Sequence, residues 1–309
     1  MRAMTYAQYG DDDVLEVTEQ PQPKVGPGEL LVKVRAASVN PVDWKLMSGG
    51  LDAMMDVRFP VVPGWDVAGV VEAVGIDTPE YSVGDEVVAY NRKDYVHGGT
   101  FAQYTCVPVR SAARKPAGTT WEEAASLPLA GLTAFQALER LQVGPEDTVL
   151  VHGAGGGVGS FAVQLAARAF RARVIGTASA EQHDRIRDLG AEPVEYGDGL
   201  VDAVRELAPD GVSVVLDLVG GVLEQTLAVL EDEGRHVSIA DDAVLEEGGT
   251  WLWVRPDADD LGRLVGLVED GTVRIEVEDT YELDDLPKAF ARSRDGHVRG
   301  KLAVTVSDD

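Results

Sequence analysis

Cysteine is almost absent from this 309-residue chain: Cys106 stands alone. That excludes an internal disulfide framework and any metal site built from several thiolates. Basic residues are also scarce, 27 against 53 acidic ones, for a formal net charge of −26. Such a balance argues against a polyanionic partner, whether nucleic acid or an anionic membrane surface. No apolar run is long enough to cross a bilayer, and no basic and apolar leader opens the chain, so a cytoplasmic location is expected. The histidines number five, and none stands beside a second ligand at metal spacing.

What is present is a hydrophobic content of 45%, enough for a sizeable core, on a length that favours two domains. The carboxylates are scattered, as at Asp11 to Asp13, Glu122, Glu123, Asp241, Asp242 and Asp257, and the cations are 20 arginines to 7 lysines. This resembles the surface of a protein from a salt-rich cytoplasm. Self-repulsion among so many carboxylates destabilises a compact state unless salt screens it, and the Debye length shrinks from about 10 Å at 0.1 M to about 3 Å at 1 M.

Along the chain, short β-type runs broken by Gly and Pro (Leu30 to Val34, Val67 to Val74, Glu86 to Tyr90) predict a mostly antiparallel domain up to about Lys115. Thr119 or Thr120 then caps an Ala/Leu-rich helical stretch running to Leu141, with Glu122 and Glu123 in its first turn. Strands and helices alternate beyond it. Strands are expected at Thr148 to Val151, Arg173 to Gly176, Ser213 to Leu218, Arg235 to Ile239, Trp251 to Val254 and Val273 to Val277. Helices are expected at Ser160 to Phe170, Glu181 to Leu189, Val222 to Leu230, Ala258 to Asp270 and Asp285 to Arg294. Continuous Val, Ile and Leu bounded by Gly is what a parallel sheet covered on both faces requires. A last strand, Lys301 to Val306, is expected to return to the first domain.

The strongest local signal is the apolar strand from Val149 feeding the glycine loop Gly153 to Gly159, which opens a helix. A pyrophosphate needs backbone N–H groups at close range and the positive end of a helix, and glycines permit that approach. Aligned to the G-x-G-x-x-G fingerprint, the three positions are Ala154, Gly156 and Gly159, so the first glycine is an alanine. Some twenty residues on, where an NAD site carries an acidic residue for the ribose 2′-OH, stand Thr177, Ala178 and Ser179. That neutral turn leaves room for the 2′-phosphate of NADP, although Ser179 is equally suited to cap the following helix.

Other blocks follow in order: Asn40 to Lys45, Val62 to Val71, Gly84 to Val87, Gly98 to Tyr104, Ala124 to Ala134, Val215 to Gly221 and Gly296 to Lys301. Together with the glycine loop they resemble the zinc-free quinone oxidoreductase branch of the medium-chain dehydrogenase/reductase family, above all the plant-type quinone and enone oxidoreductases. The resemblance covers nearly the whole chain. It implies an α/β protein with a GroES-like β domain (residues 1–118 and 277–309) that carries the substrate pocket, and a Rossmann doubly wound parallel sheet (residues 119–276). An active-site cleft between them and a homodimer are implied as well. Zinc alcohol dehydrogenases of the same superfamily have a cysteine in the place of Asn40 and a Gly-His-Glu motif in the place of Gly64, Trp65 and Asp66. This chain has neither, and it lacks their four-cysteine lobe, so no metal is expected.

The resemblance also implies an NADPH-dependent reductase acting on a small quinone or enone, with NADH the less favoured cofactor. Gly156, Gly157 and Val158 would meet the pyrophosphate, Ser179 the 2′-phosphate, and Tyr196 would stack near the adenosine phosphate. Thr133 and Val237, Ser238 and Ile239 would border the nicotinamide half, with Gly300 and Lys301 closing the site from the C-terminal side. Plant-type relatives place a lysine shortly after the serine turn. This chain has Glu181 and Gln182 there, with His183 or Arg185 as possible replacements for the charge. Hydride delivered to the β-carbon of an enone drives negative charge onto its oxygen, and without zinc a hydrogen-bond donor must stabilise it. Lys45 is the candidate by resemblance, and Asn40 would hydrogen-bond near the nicotinamide ribose. Asp43 either holds Lys45 or caps the short helix beginning there. Tyr90 and Tyr95 flank a loop that would overhang the cleft, each a proton donor or an apolar wall with a polar tip. A non-catalytic, NADPH-binding redox sensor or assembly factor would keep the glycine loop and Tyr196 yet need no Lys45.

Overall fold

The computed structural model describes residues 1–307. By their contacts they fall into two units: Met1–Leu132 with Pro256–Glu269 and Ile275 onward, and Thr133–Arg255 with Asp270–Arg274.

In the first unit the alternation of apolar residues in Glu29–Val39 places Leu30, Val32 and Val34 on one buried face. That strand is the centre of a seven-stranded sheet. On one side Asp66–Val74, Glu86–Tyr90 and Ala112–Arg114 follow it, and Tyr104–Pro108 pairs with its first half. On the other side lie Lys301–Thr305 and Val277–Glu282. The chain's last strand therefore does return, pairing antiparallel with Leu302 opposite Val39. Val67, Val71, Val87, Val107 and Ala112 complete the core. A small parallel pair, Asp56–Val62 with Tyr95–Gly98, was not legible in the sequence, because the first strand is largely exposed and interrupted by Pro60.

The second unit is a six-stranded, wholly parallel sheet in the order Glu192–Val194, Arg173–Thr177, Thr148–His152, Val212–Asp217, Leu230–Ser238, Thr250–Trp251. Its core holds Leu150, Ile175, Val204, Val212, Val215 and Val229. Thr148–His152 pairs with Arg173–Thr177 on one side and Val212–Asp217 on the other. Strand order reverses there, and ligands of such sheets bind outside the carboxyl ends of the strands at that point.

Three expectations need correction. The helical stretch from Thr120 is broken into Trp121–Ala125 and Pro128–Arg140, because Pro128 has no N–H to continue the first helix. The strand expected at Trp251 to Val254 shrinks to Thr250–Trp251. The strand expected at Val273 to Val277 instead runs Val277–Glu282, following its pairing with Lys301–Thr305. No helix among the described residues is long and apolar enough to cross a membrane.

Candidate functional site

In the second unit the glycine turn follows the Thr148–His152 strand. Gly153 has φ +75°, a conformation that side chains resist, and its N–H donates to Thr177 Oγ1 at 2.9 Å. Ala154 N–H donates to the Thr177 carbonyl at 3.0 Å. The tight turn demanded of the fingerprint's first glycine is thus made one residue earlier, by Gly153, which is why Ala154 is tolerated. A Cβ on Gly159 would lie 2.1 Å from the Gly153 carbonyl oxygen, so only glycine lets the helix approach the turn. Gly156 is the N-cap of the Gly157–Gln164 helix. The first N–H groups of that helix, Gly157 and Val158 among them, have no partner within it and carry the positive end of its dipole.

Around the turn, Arg185 Nη1 donates to the Gly155 carbonyl and to Gln182 Oε1, both at 2.9 Å. Of the two cations considered for this place, Arg185 is the one bonded to the glycine turn. Ser179 is half-buried and caps a short 3₁₀ turn, Ala180–Gln182, with no side-chain cap bond. Tyr196 is 58% exposed, its ring free of the core. Thr133 is buried on Pro128–Arg140. At the end of Leu230–Ser238, Val237 and Ser238 are buried and Ile239 is half-buried. Ser238 Oγ donates to Asp217 Oδ2 at 2.7 Å and accepts from the N–H groups of Ala240 and Asp241. Asp217 Oδ1 in turn accepts from Val219 and Gly220 N–H. This carboxylate, which sequence reasoning passed over, fixes the loops at the carboxyl ends of two neighbouring strands. His152 is buried beside Thr226 Oγ1 at 3.3 Å, and burial lowers its pKa to about 4, so the ring is neutral.

In the first unit the structure joins Asn40 and Lys301 in a buried cluster with Asp43 and Asp66. Asn40 caps the Pro41–Met47 helix, and its N–H donates to Asp43 Oδ2 at 2.8 Å, so Asp43 takes the capping role rather than holding Lys45. Lys301 Nζ donates to Asn40 Oδ1 at 2.6 Å and to the Val39 carbonyl at 3.0 Å, and lies 3.9 Å from Asp66 Oδ2. Asn40 Nδ2 donates to Asp66 Oδ2 at 2.8 Å. Asp66 Oδ1 accepts from Leu129 N–H at 2.8 Å, near the start of Pro128–Arg140, where a negative charge is favoured. Burial pushes Asp66 up to about 6 and Asp43 up to about 8, and lowers Lys301. Asp66 was visible in the sequence only as the last residue of the block that stands in place of a Gly-His-Glu motif. The overlooked signal was a lone carboxylate heading an apolar strand, since a buried charge needs a partner.

Of the other candidates of this unit, Tyr90 stands opposite Asp66 on the neighbouring strand. Lys45 is exposed on the helix, its Nζ 5.6 Å from the ring centre of Trp44, over which Arg294 also lies at 5.4 Å. Tyr90 is buried and stacks edge-on against Trp65 at 6.0 Å. Burial pushes its phenol pKa up, so the hydroxyl stays neutral. Tyr95 carries the Arg58 guanidinium 3.9 Å over its ring. Gly300 has φ +84°, and a Cβ there would meet the Glu276 carbonyl at 2.4 Å.

Residues 26–117 match the alcohol dehydrogenase GroES-like domain family and residues 189–304 the zinc-binding dehydrogenase family. An NADPH-dependent alkenal/one oxidoreductase from chloroplasts of Arabidopsis thaliana is 34% identical over 313 residues, spanning 98% of this chain and 79% of that protein. A chloroplast envelope quinone oxidoreductase homolog from the same plant is 31% identical, spanning 98% of both. Among solved structures, the quinone oxidoreductase from Coxiella burnetii superposes with a TM-score of 0.88 at 32% identity, over 99% of both chains. The chain belongs to the quinone and enone oxidoreductase branch of the medium-chain dehydrogenase/reductase family. One of the matched families of this medium-chain reductase is named for zinc, and the Asn40 and Asp66 positions lie outside that match. Both side-chain heteroatoms of Asn40 are engaged, its Oδ1 accepting from the buried Lys301 ammonium and its Nδ2 donating to Asp66. Among the described residues no group of three or more His, Cys, Asp or Glu could hold a metal ion.

Proposed function

We propose that this protein is an NADPH-dependent reductase that transfers hydride to a quinone or to the activated double bond of an α,β-unsaturated carbonyl. The observation that carries the reading is the glycine turn, which puts the N-terminus of Gly157–Gln164 at the strand-order reversal of a parallel sheet. Gly156, Gly157 and Val158 would hold the pyrophosphate by their N–H groups. Ser179 would hold the 2′-phosphate, with Arg185 supplying positive charge beside the turn, and the exposed Tyr196 ring would cover the adenosine. Thr133 and the strand end at Val237 to Ile239, held in shape by Asp217, would border the nicotinamide, with Gly300 on the C-terminal side. Bound, the reduced nicotinamide supplies the hydride.

The remaining chemistry falls to this chain's own residues. Lys45, an exposed cation, would donate to the oxygen on which charge develops. Asn40 and Lys301 would keep the corner beside it rigid through their mutual hydrogen bond. The alkenal/one and quinone activities named for the relatives support the same reading. The test is consumption of NADPH and of NADH against a panel of quinones, enones and alkenals in high salt. Turnover with at least one class, and higher catalytic efficiency with NADPH, is expected. No turnover on any of them removes the reading, and a higher efficiency with NADH removes the assignment of Ser179.

A further inference from the structure

Asp66 heads the Asp66–Val74 strand, is 0% exposed, and has both carboxylate oxygens in use. Oδ1 accepts from Leu129 N–H and Oδ2 from Asn40 Nδ2, each at 2.8 Å. Asn40 extends the connection. Its Nδ2 also reaches the Ser38 carbonyl at 3.4 Å, and its Oδ1 accepts from Lys301 Nζ at 2.6 Å. This chain of bonds has a direction. A carboxylate only accepts and an ammonium only donates, so the Asn40 amide between them has a single orientation that satisfies both ends. Leu129 N–H is one of the first-turn groups of the Pro128–Arg140 helix that no helical carbonyl can satisfy, and Thr133 lies one turn further along the same face.

We propose that Asp66 is a positioning residue for the nicotinamide half of the cofactor, acting through Asn40, Lys301 and the first turn of the helix that carries Thr133. It rests on the reductase reading above, in which Lys301 and Thr133 border that half and Asn40 bonds near its ribose. Stability does not account for a carboxylate at this place. Burial raises Asp66 to about 6 against the lowering by Lys301, Asn40 and Leu129, so the ionised form is a net cost to the fold. A well-packed apolar side chain at the head of the strand would serve the fold as well or better. What it could not do is fix which end of the Asn40 amide faces Lys301, or hold the Leu129 N–H.

Acid separates the two roles. The groups facing Asp66 are Lys301 from the last strand, Asp43 from the Pro41–Met47 helix, and Tyr90 from the neighbouring strand, whose hydroxyl bonds Arg92. Asp43 is raised to about 8 and Tyr90 is raised by burial, so both stay protonated through pH 7.5, while burial lowers Lys301 and the two carboxylates oppose that. Protonation of Asp66 turns one acceptor oxygen into a donor that faces Asn40 Nδ2 or Leu129 N–H, and one bond is lost. Stability moves the other way. With its pKa raised from 3.8 to about 6, Asp66 contributes stability that is fully present below pH 3.8 and is lost as pH rises through about 6. Acidification therefore strengthens the fold while it loosens the arrangement.

The experiment measures binding of NADP⁺ and of 2′-phospho-ADP-ribose, which has the same phosphates and lacks the nicotinamide ring, to wild type and Asp66→Asn at pH 7.5 and pH 5. At pH 7.5 Asp66→Asn is expected to lower NADP⁺ affinity about tenfold and to leave 2′-phospho-ADP-ribose within about twofold, the size of one lost hydrogen bond. The ratio of the two affinities should fall in wild type between pH 7.5 and pH 5 and stay level in Asp66→Asn, whose amide already sets a donor against Asn40 or Leu129. A carboxylate that was merely structural would move both ligands together, and in the direction of the melting temperature. Should Asp66→Asn not fold, the wild-type ratio at the two pH values decides. An equal ratio in the two proteins at pH 7.5, or a wild-type ratio unmoved by acid, overturns the positioning role and leaves the reductase reading standing. A ratio lost in Asp66→Asn, with no turnover of any quinone, enone or alkenal by wild type, upholds the positioning role and overturns the reductase reading. No binding of NADP⁺ by wild type overturns both.

Discussion

At the scale of single residues, exposed charges and charges bonded in the interior of this protein respond differently to substitution. Lys45 is exposed, so truncation costs the fold little, within about 0.5 kcal/mol. If its ammonium stabilises the developing charge, Lys45→Ala lowers single-turnover hydride transfer on the order of 10²- to 10³-fold while NADPH affinity changes far less. Lys45→Arg restores little, because the guanidinium presents its charge as a planar fork. Unchanged transfer in Lys45→Ala removes the residue from the mechanism. Asp43 is the interior case. Its folded pKa is raised from 3.8 to about 8, so the folded state holds that proton more tightly than the unfolded chain does. The resulting stability is fully present below pH 3.8 and is lost as pH rises through about 8. Thermal melts of wild type and Asp43→Asn from pH 5 to pH 9 should show wild type losing ground to the variant across that window. Parallel curves would mean that Asp43 is ionised in the fold throughout.

At the scale of elements, the glycines divide by what surrounds them. Gly159 lies against the Gly153 carbonyl, so Gly159→Ala must push the Gly157–Gln164 helix off the turn that would hold the pyrophosphate. A loss of about 1–3 kcal/mol in stability and a larger loss in NADPH binding are expected. Gly262 lies inside the Ala258–Glu269 helix with nothing within 4 Å of its would-be Cβ, and Gly262→Ala should stabilise by about 0.5–1 kcal/mol. Chemical denaturation of the two variants checks the opposite signs, and a stabilised Gly159→Ala would show that the turn tolerates the extra carbon. The glycine loop, the Thr120 cap and most buried strands were legible because each rests on neighbouring residues. The Asp56–Val62 strand was not, because only its parallel partner thirty or more residues away makes it a strand.

For the whole molecule, a net charge of −26 is a repulsion summed over the entire surface, and it depends on the solvent more than on any one contact. Raising KCl from dilute buffer to molar concentration shortens the Debye length from about 10 Å or more to about 3 Å, and should raise the melting temperature and activity together. Equal melting temperatures in both buffers would show that the carboxylates are spaced widely enough not to matter. The sequence by itself determined what repeats locally or sums over the chain: the acidic composition, the parallel and antiparallel textures, the glycine turn and the family. Tertiary structure decided which polar groups share a buried space. Lys301 meets Asn40 across 261 positions, and the Asp66 carboxylate meets Leu129 across 63. Tyr6, Asp43 and Asn91 come to one pocket from three separate segments. No local pattern marks such partners, because a polar side chain reads the same in sequence whether water or a distant residue completes its hydrogen bonds, and only burial distinguishes the two.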